Sequence, residues 1–369
     1  MSSAAALPEV RREQAAALFR ARGIPTRRVE AWKYSDLKTA LGETGPDQMN
    51  EVSAAWSLAA LPPGVESFDL SQGHIPDWAL PHTGNNAMGA ASLAFARSGV
   101  ALRVSGAVTE PLRLNLAQSG HLRAVLVLED GASATLIENA EAAAWRNAGF
   151  DIVLGENARL DHVRLSPRAP DAVLVEEFFV LVGSNAQYHA HFTDFGARLS
   201  RTELQIALQG EGALAELSGV SVLGDGAHAD VTTHVTHAVP NTQSTQLFKY
   251  VANGKSRGVY QGKVTVAHGA DGSDSRQTAK GLVLGERAEI DLKPELEILA
   301  DDVKCAHGAA VGDLDAESLF YLRTRGIPES QARAMLMRAF LGDAIDKVEA
   351  EDVRATVRQA VEKALEGLA

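Results

Sequence analysis

The chain has 369 residues, of which 46% are hydrophobic, 22% charged and 5% aromatic, the composition of an ordinary globular protein and not of a disordered or fibrous one. Its net charge of −12 repels phosphate backbones and anionic headgroups, so nucleic acid and membrane surfaces are poor partners. One cysteine excludes an internal disulfide and a self-contained cysteine-rich metal site, and it suits a reducing compartment.

The N-terminal stretch MSSAAALPEVRREQAAALFR gains charge at once from Glu9, Arg11, Arg12 and Glu13. No later stretch is apolar for the roughly 18 residues that span a bilayer, so the expected location is the cytoplasm. Residues 1–92 read as a helical and loop region. Val10, Ala15, Leu18 and Phe19 recur at roughly helical spacing up to Gly23, and EAWKYSDLKTALG reads as a second short helix ending at Gly42. From LPPGVESF to GNNAMGA the density of Pro, Gly and Asn reads as loop.

Residues 93–312 read almost entirely as strand. Short alternating or apolar runs such as LRAVLVLED, FDIVLGE, AVLVEEFFVLVG and TELQIALQG are bounded by Gly, Asn and Asp. A small motif recurs as GASA at Gly131, GENA at Gly155, GSNA at Gly183, GEGA at Gly210, GDGA at Gly224 and GERA at Gly285. Each copy closes one strand and opens another, with glycine or asparagine reaching positive φ in the turn. The pattern fits the rungs of a β-solenoid, and more readily the hairpins of a sandwich or double-sheet barrel.

Residues 313–369 return to helices, with DLDAESLFYLRTRG ending at Gly326, then SQARAMLMRAFLGDAI, then EDVRATVRQAVEKALEGLA. In the last, Val353, Val357, Val361 and Leu365 form an i, i+4 stripe that must cover either the protein's own body or a partner.

The sole cysteine lies in LADDVKCAHGAAVG. Alternation along a strand puts Val303, Cys305 and His307 on one face, so a thiolate and an imidazole stand close enough to share a soft or borderline metal ion. The same pair also reads as a small buried hydrophobe beside a hydrogen-bonded histidine, or as a nucleophile with its base, although no transferase or protease signature surrounds it. His189 and His191 share a strand face, and His228, His234 and His237 cluster further on. With no nearby carboxylate pattern, these histidines read as structural or surface groups. GEGALA and GDGAHA match a loose dinucleotide fingerprint, but no helix follows to face a phosphate. There is no phosphate loop of the GxxxxGK[ST] type, so any ATP-driven step belongs to another chain.

Four segments resemble the SufB/SufD family of iron-sulfur cluster assembly proteins: Arg22 to Leu41, Thr233 to Val266, Asp291 to Gly312 and Asp315 to Leu341. EAWKYSDL and the single cysteine sit nearer the SufD branch than SufB. The resemblance implies a mainly β fold, a right-handed parallel β-helix flanked by helical N- and C-terminal regions. It implies a non-catalytic scaffold that pairs with a SufB-like paralogue through the β-helix. A SufC-like ABC ATPase would dock at the C-terminal helices, around Leu319, Phe320, Tyr321, Arg325 and Gly326.

On this resemblance His307, with Cys305 as the lesser candidate, contributes ligands to a transient iron-sulfur cluster shared with the SufB-like partner or to iron entry, and the chain binds no nucleotide. Two other readings stay open. One is a homodimeric module using the same β-helix edge. The other is a solenoid enzyme acting on polysaccharide, which needs paired acidic residues in a groove that the strand zone does not offer.

Overall fold

The structure, a computed structural model, describes residues 9–42, 55–71, 75–79, 86–117, 119–140 and 143–368. It begins with helix α1 (Glu9–Arg22), a single 3-10 turn at Glu30–Trp32, and helix α2 (Leu37–Leu41). Strands β1 (Ala55–Leu58) and β2 (Val65–Asp69) and helix α3 (Ala87–Phe95) follow.

The strand zone comprises β3 (Ser98–Val104), β4 (Leu112–Ala117), β5 (Gly120–Leu128), β6 (Ser133–Ala140), β7 (Trp145–Leu154), β8 (Arg159–Ser166), β9 (Ala169–Val182) and β10 (Gln187–Asp194). It continues through β11 (Ala197–Leu208), β12 (Leu214–Leu223), β13 (His228–His237), β14 (Gln243–Ala252), β15 (Arg257–Val266), β16 (Asp274–Val283), β17 (Glu289–Ile298) and β18 (Lys304–Gly312). Helices α4 (Ala316–Thr324), α5 (Glu329–Ile345) and α6 (Glu351–Glu366) complete the chain.

Successive strands alternate between two nine-stranded sheets, even-numbered strands joining β1 in one and odd-numbered strands joining β2 in the other. From β3 onward neighbours within a sheet pair in parallel, so the chain winds as a β-solenoid of about 8 turns, and the sandwich and barrel alternatives are excluded. Only β1 and β2, at the first end, pair antiparallel.

The recurring turn motif supplies corners of the solenoid. The alanine N–H donates to the carbonyl three residues back at Ala132, Ala158, Ala186, Ala213, Ala227 and Ala288. In four copies the third position takes positive φ, as Asn157 (56°), Asn185 (53°), Gly212 (75°) and Gly226 (73°), and in the first, whose corner ends at Ala132, Gly131 (69°) does so. Of these alanines, Ala132, Ala158, Ala186, Ala213 and Ala227 then point inward and stack in the interior with Leu, Val and Phe from both sheets. Each large aliphatic side chain so buried contributes roughly 1.5–3 kcal/mol.

Helical layers cover the outer faces. Ala15 and Phe19 of α1, with Trp32, Leu37 and Leu41, pack against Trp145, Val173, Val175 and Leu199; the Val10 side chain lies outside the described residues. EAWKYSDLKTALG is not one helix. Asp36 interrupts it, its carboxylate accepting from the Thr39 N–H at 2.9 Å as the N-cap of α2. Trp32 lies against the Arg201 guanidinium, 4.3 Å from the ring centroid, and the Ser35 hydroxyl donates to Asp230 at 2.5 Å.

The segment read as loop from residue 61 onward contains β2 and α3, its residues 72–74 and 80–85 lying outside the described ones. Every residue of α3 from Ala87 to Leu93 is buried, so the helix is apolar all round and shows no helical period. Its start signal is the Asn86 carboxamide, which accepts from the Gly89 N–H at 2.7 Å. At the other end of the chain the stripe Val353, Val357, Val361 and Leu365 is buried against the protein's own body, with Val163, Val220, Val222 and Val251 of the even-numbered sheet. No described helix is long and apolar enough to cross a membrane.

Candidate functional site

A parallel solenoid must end somewhere, and its last rung carries unpaired strand edges unless something covers them. Here β17 and β18 are the outermost strands of their sheets, and nothing among the described residues pairs with their outer edges. Their side chains are mostly exposed or half-buried, whereas those of β15 one turn earlier are mostly buried. Even inward-facing apolar residues are left open, Ile298 at 42% and Val311 at 48% exposure.

Cys305 and His307 sit on β18 at this open end. Both belong to the inward series, as alternation requires, and Cys305 packs half-buried against the main core while His307 is exposed. Burial, with the Asp274 carboxylate nearby, pushes the Cys305 thiol above its ordinary range, against a smaller opposing effect of the Ser275 backbone. A metal ion that took the thiolate would therefore have to release a proton.

Register explains what lies beneath the pair. Ser244, Ser275 and Cys305 form one column, and Gln246, Gln277 and His307 the next. The first column is a hydrogen-bonded ladder: the His237 imidazole meets Ser244 Oγ at 2.9 Å, and Ser244 meets Ser275 at 2.8 Å. In the second, Thr233 and Tyr260 hydroxyls donate to Gln246 Oε1 at 2.6 and 3.0 Å. Gln277 is buried directly below His307, facing the Tyr260 hydroxyl, without a hydrogen bond of normal geometry. Gly262 makes room for it, since a Cβ there would collide with Gln277 Nε2 and lie 2.5 Å from the Tyr260 oxygen.

The solenoid interior is thus polar in the rungs that lead to Cys305 and His307, as it also is at mid-length, where Arg146 and Arg164 pair with Glu138 and Glu176. Sequence reasoning missed Ser244, Ser275, Gln246, Gln277 and Tyr260. The usable signal is the 30-residue offset from Ser275 to Cys305 and from Gln277 to His307, the length of one turn at this end.

The C-terminal candidates lie apart from this pair. Helix α4 buries none of its residues, and Phe320 and Tyr321 are 68% and 56% exposed. Leu319 is half-buried, while Arg325 and Gly326 are exposed. Gly326 ends α4 with φ of 83°, and the Ile327 N–H returns to the Leu322 carbonyl, the closure that a glycine in the left-handed region permits.

Four of the five other histidines singled out in the sequence are held by hydroxyls. His191 meets Ser218 and Thr193, His234 meets Thr265, His237 meets Thr242 and Ser244, and His228 meets Ser35. Burial brings the pKa of His191, His228 and His237 down to about 4, so each is neutral at physiological pH. His189 departs from the sequence expectation, because the fold brings Asp161, Glu216 and Glu349 to its ring.

The family profile described as SUF system FeS cluster assembly, SufBD core domain, matches residues 113–340. The iron-sulfur cluster assembly protein SufD of Escherichia coli K12 is 29% identical over 383 aligned positions, covering 94% of this chain and 90% of its own length. An iron-sulfur cluster assembly SufBD family protein of Mycobacterium bovis is 29% identical over 360 positions, 93% of this chain and 90% of its own. A SufBD family protein of Synechocystis is 32% identical over 253 positions, and the match spans 65% of this chain but only 55% of that relative.

Proposed function

Because this chain belongs to the SufB/SufD family of the SUF iron-sulfur cluster assembly system, we propose that it acts there as a non-catalytic scaffold subunit whose open solenoid end is half of a shared assembly site. The near full-length similarity to SufD supports its place in that branch. The observation that carries the proposal is Cys305 and His307 side by side on the inward face of a terminal strand whose outer edge pairs with none of the described residues.

A thiolate and an imidazole are half of the ligand set that iron or an iron-sulfur cluster takes. A SufB-like paralogue pairing along the β17 and β18 edges would supply the other half and cover Ile298 and Val311. The cluster is cargo and must leave, and a site divided between two chains opens when they move apart. The exposed α4 surface around Phe320 and Tyr321 suits a SufC-like ABC ATPase, which would supply the nucleotide chemistry and drive that movement. Iron entry would occur at the same end of the solenoid.

The test is anaerobic reconstitution of the three-component complex with iron and sulfide, followed by the visible charge-transfer absorption of the cluster. His307→Ala is expected to lower the cluster yield strongly and Cys305→Ser less. Unchanged yield in the doubly substituted complex would refute the ligand assignment.

A second reading follows from the same exposed edge, which can pair with another copy of this chain when no paralogue is present. Light scattering of the isolated protein distinguishes the two, a monomer that captures a SufB-like chain supporting only the heterocomplex.

A further inference from the structure

Outside the open end, one group of side chains has the donors of a metal site and no role in the reading above. Strands β8, β10 and β12 are neighbours, and their register puts Asp161, His189 and Glu216 in one outward row. The turn between α5 and α6 lays Glu349 over this row. One ligand atom each from Asp161, His189 and Glu349 lies within 4.8 Å of the others.

We propose that His189, Asp161 and Glu349 form a divalent-cation site, for an ion of the Mn²⁺ to Zn²⁺ series, that clips the C-terminal helices to the solenoid wall.

The spacing is the first argument. His189 Nδ1 stands 3.6 Å from Glu349 Oε1. That gap exceeds a hydrogen bond, yet two ligands each about 2.0–2.2 Å from a tetrahedral ion stand about 3.3–3.6 Å apart.

The second argument is space and burial. A cavity of about 20 Å³ lies between Asp161, His189, Lys347 and Glu349, above the roughly 10–15 Å³ that one water-sized occupant needs. The His189 side chain is only 13% exposed.

The remaining charges are compatible. Arg159 Nη2 holds Asp161 at 3.0 Å and Glu349 Oε2 at 2.7 Å, and Lys347 is 4.0 Å from Glu216. With Lys347 beside Glu216, the two carboxylates of the site, Asp161 and Glu349, face Arg159 and leave one negative charge for the ion. Carboxylate oxygens carry two lone pairs, so Arg159 can keep orienting Asp161 and Glu349 while both ligate. One imidazole with carboxylates and no thiolate selects Zn²⁺, Fe²⁺ or Mn²⁺ over Cu⁺ or an iron-sulfur cluster.

The test uses the full chain without a polyhistidine tag and with Cys305→Ser and His307→Ala, which silences the other donor pair. It is dialysed against Zn²⁺ and separately against Mn²⁺, and the bound metal and thermal midpoint are measured. The proposal expects one ion per chain and a midpoint that rises with metal. Glu349→Gln and His189→Ala should each weaken binding at least about tenfold and abolish the rise. Arg159→Gln, which removes the competing cation, should tighten it. Glu349 lies on an exposed turn, so its variant keeps the test valid if His189→Ala folds poorly. Retention of neither metal, or equal retention in the Glu349→Gln chain, overturns the proposal.

Discussion

Glu177 is a carboxyl group in the wrong place for its charge, and its removal has a computable effect. It lies on β9 beneath α3, buried, with Oε1 accepting from Asn86 Nδ2 and from Gln205 Nε2 at 3.0 Å. Its Oε2 faces Gly89 closely enough that a Cβ there would collide with it, and it has no hydrogen-bond partner. Burial first, then the neighbouring Glu203 and Asp151 carboxylates, push its pKa from the ordinary 4.5 up to about 8, against Arg123 and the Asn86 donor.

A raised carboxyl pKa means that the folded chain holds a proton which the unfolded chain has released between those two values. Stability contributed by this group is therefore complete below pH 4.5 and declines as pH rises toward 8. At about 1.4 kcal/mol per pH unit the whole loss is on the order of 5 kcal/mol. In Glu177→Gln the carbonyl oxygen keeps both donors, and a second negative charge beside Glu203 is removed.

Urea denaturation of both proteins near pH 5.5 and near pH 9 is the assay. The variant should be close to wild type at the lower pH and more stable by a few kcal/mol at the higher. A variant equally destabilised at both would refute the reasoning, because the carboxylate would then be stabilised as a charged acceptor.

Three further outcomes are expected. Asp230→Ala removes the buried partner of Arg201, 2.6 Å away, along with the acceptor for Ser35; such a break costs about 3–5 kcal/mol, and a urea midpoint unchanged from wild type would mean that water replaces the carboxylate. Gly262→Ala should cost about 1–3 kcal/mol through its collision with Gln277, whereas Gly308→Ala, with nothing within 4 Å of its Cβ, should melt like wild type. Phe320→Glu combined with Tyr321→Glu should shift unfolding by less than about 0.5 kcal/mol while abolishing capture of the ATPase in a pull-down; capture that persists places its dock elsewhere.

The alternation of LRAVLVLED and its neighbours, the Gly-x-x-Ala corners and the stripe from Val353 to Leu365 were legible in sequence because each is local. Strand period, turn chemistry and helix period act over a few residues. The same locality put Cys305 and His307 on one face. It could not distinguish a solenoid from a sandwich, since identical strands and turns serve both, and only the choice of partner a full turn away differs. Resemblance in the segments around Thr233 to Leu341 supplied that choice.

What the tertiary structure alone decided follows from that same distance. Gln277 lies under His307, Ser275 under Cys305, and Asp161 and Glu216 beside His189, because parallel register stacks residues separated by one turn of the solenoid. The buried helix α3 has no period to read, for it is surrounded on all sides. Local propensity fixes which face a residue takes. Closure of the solenoid fixes what it meets there, and that depends on loop lengths summed over a whole turn, which no short window of sequence contains.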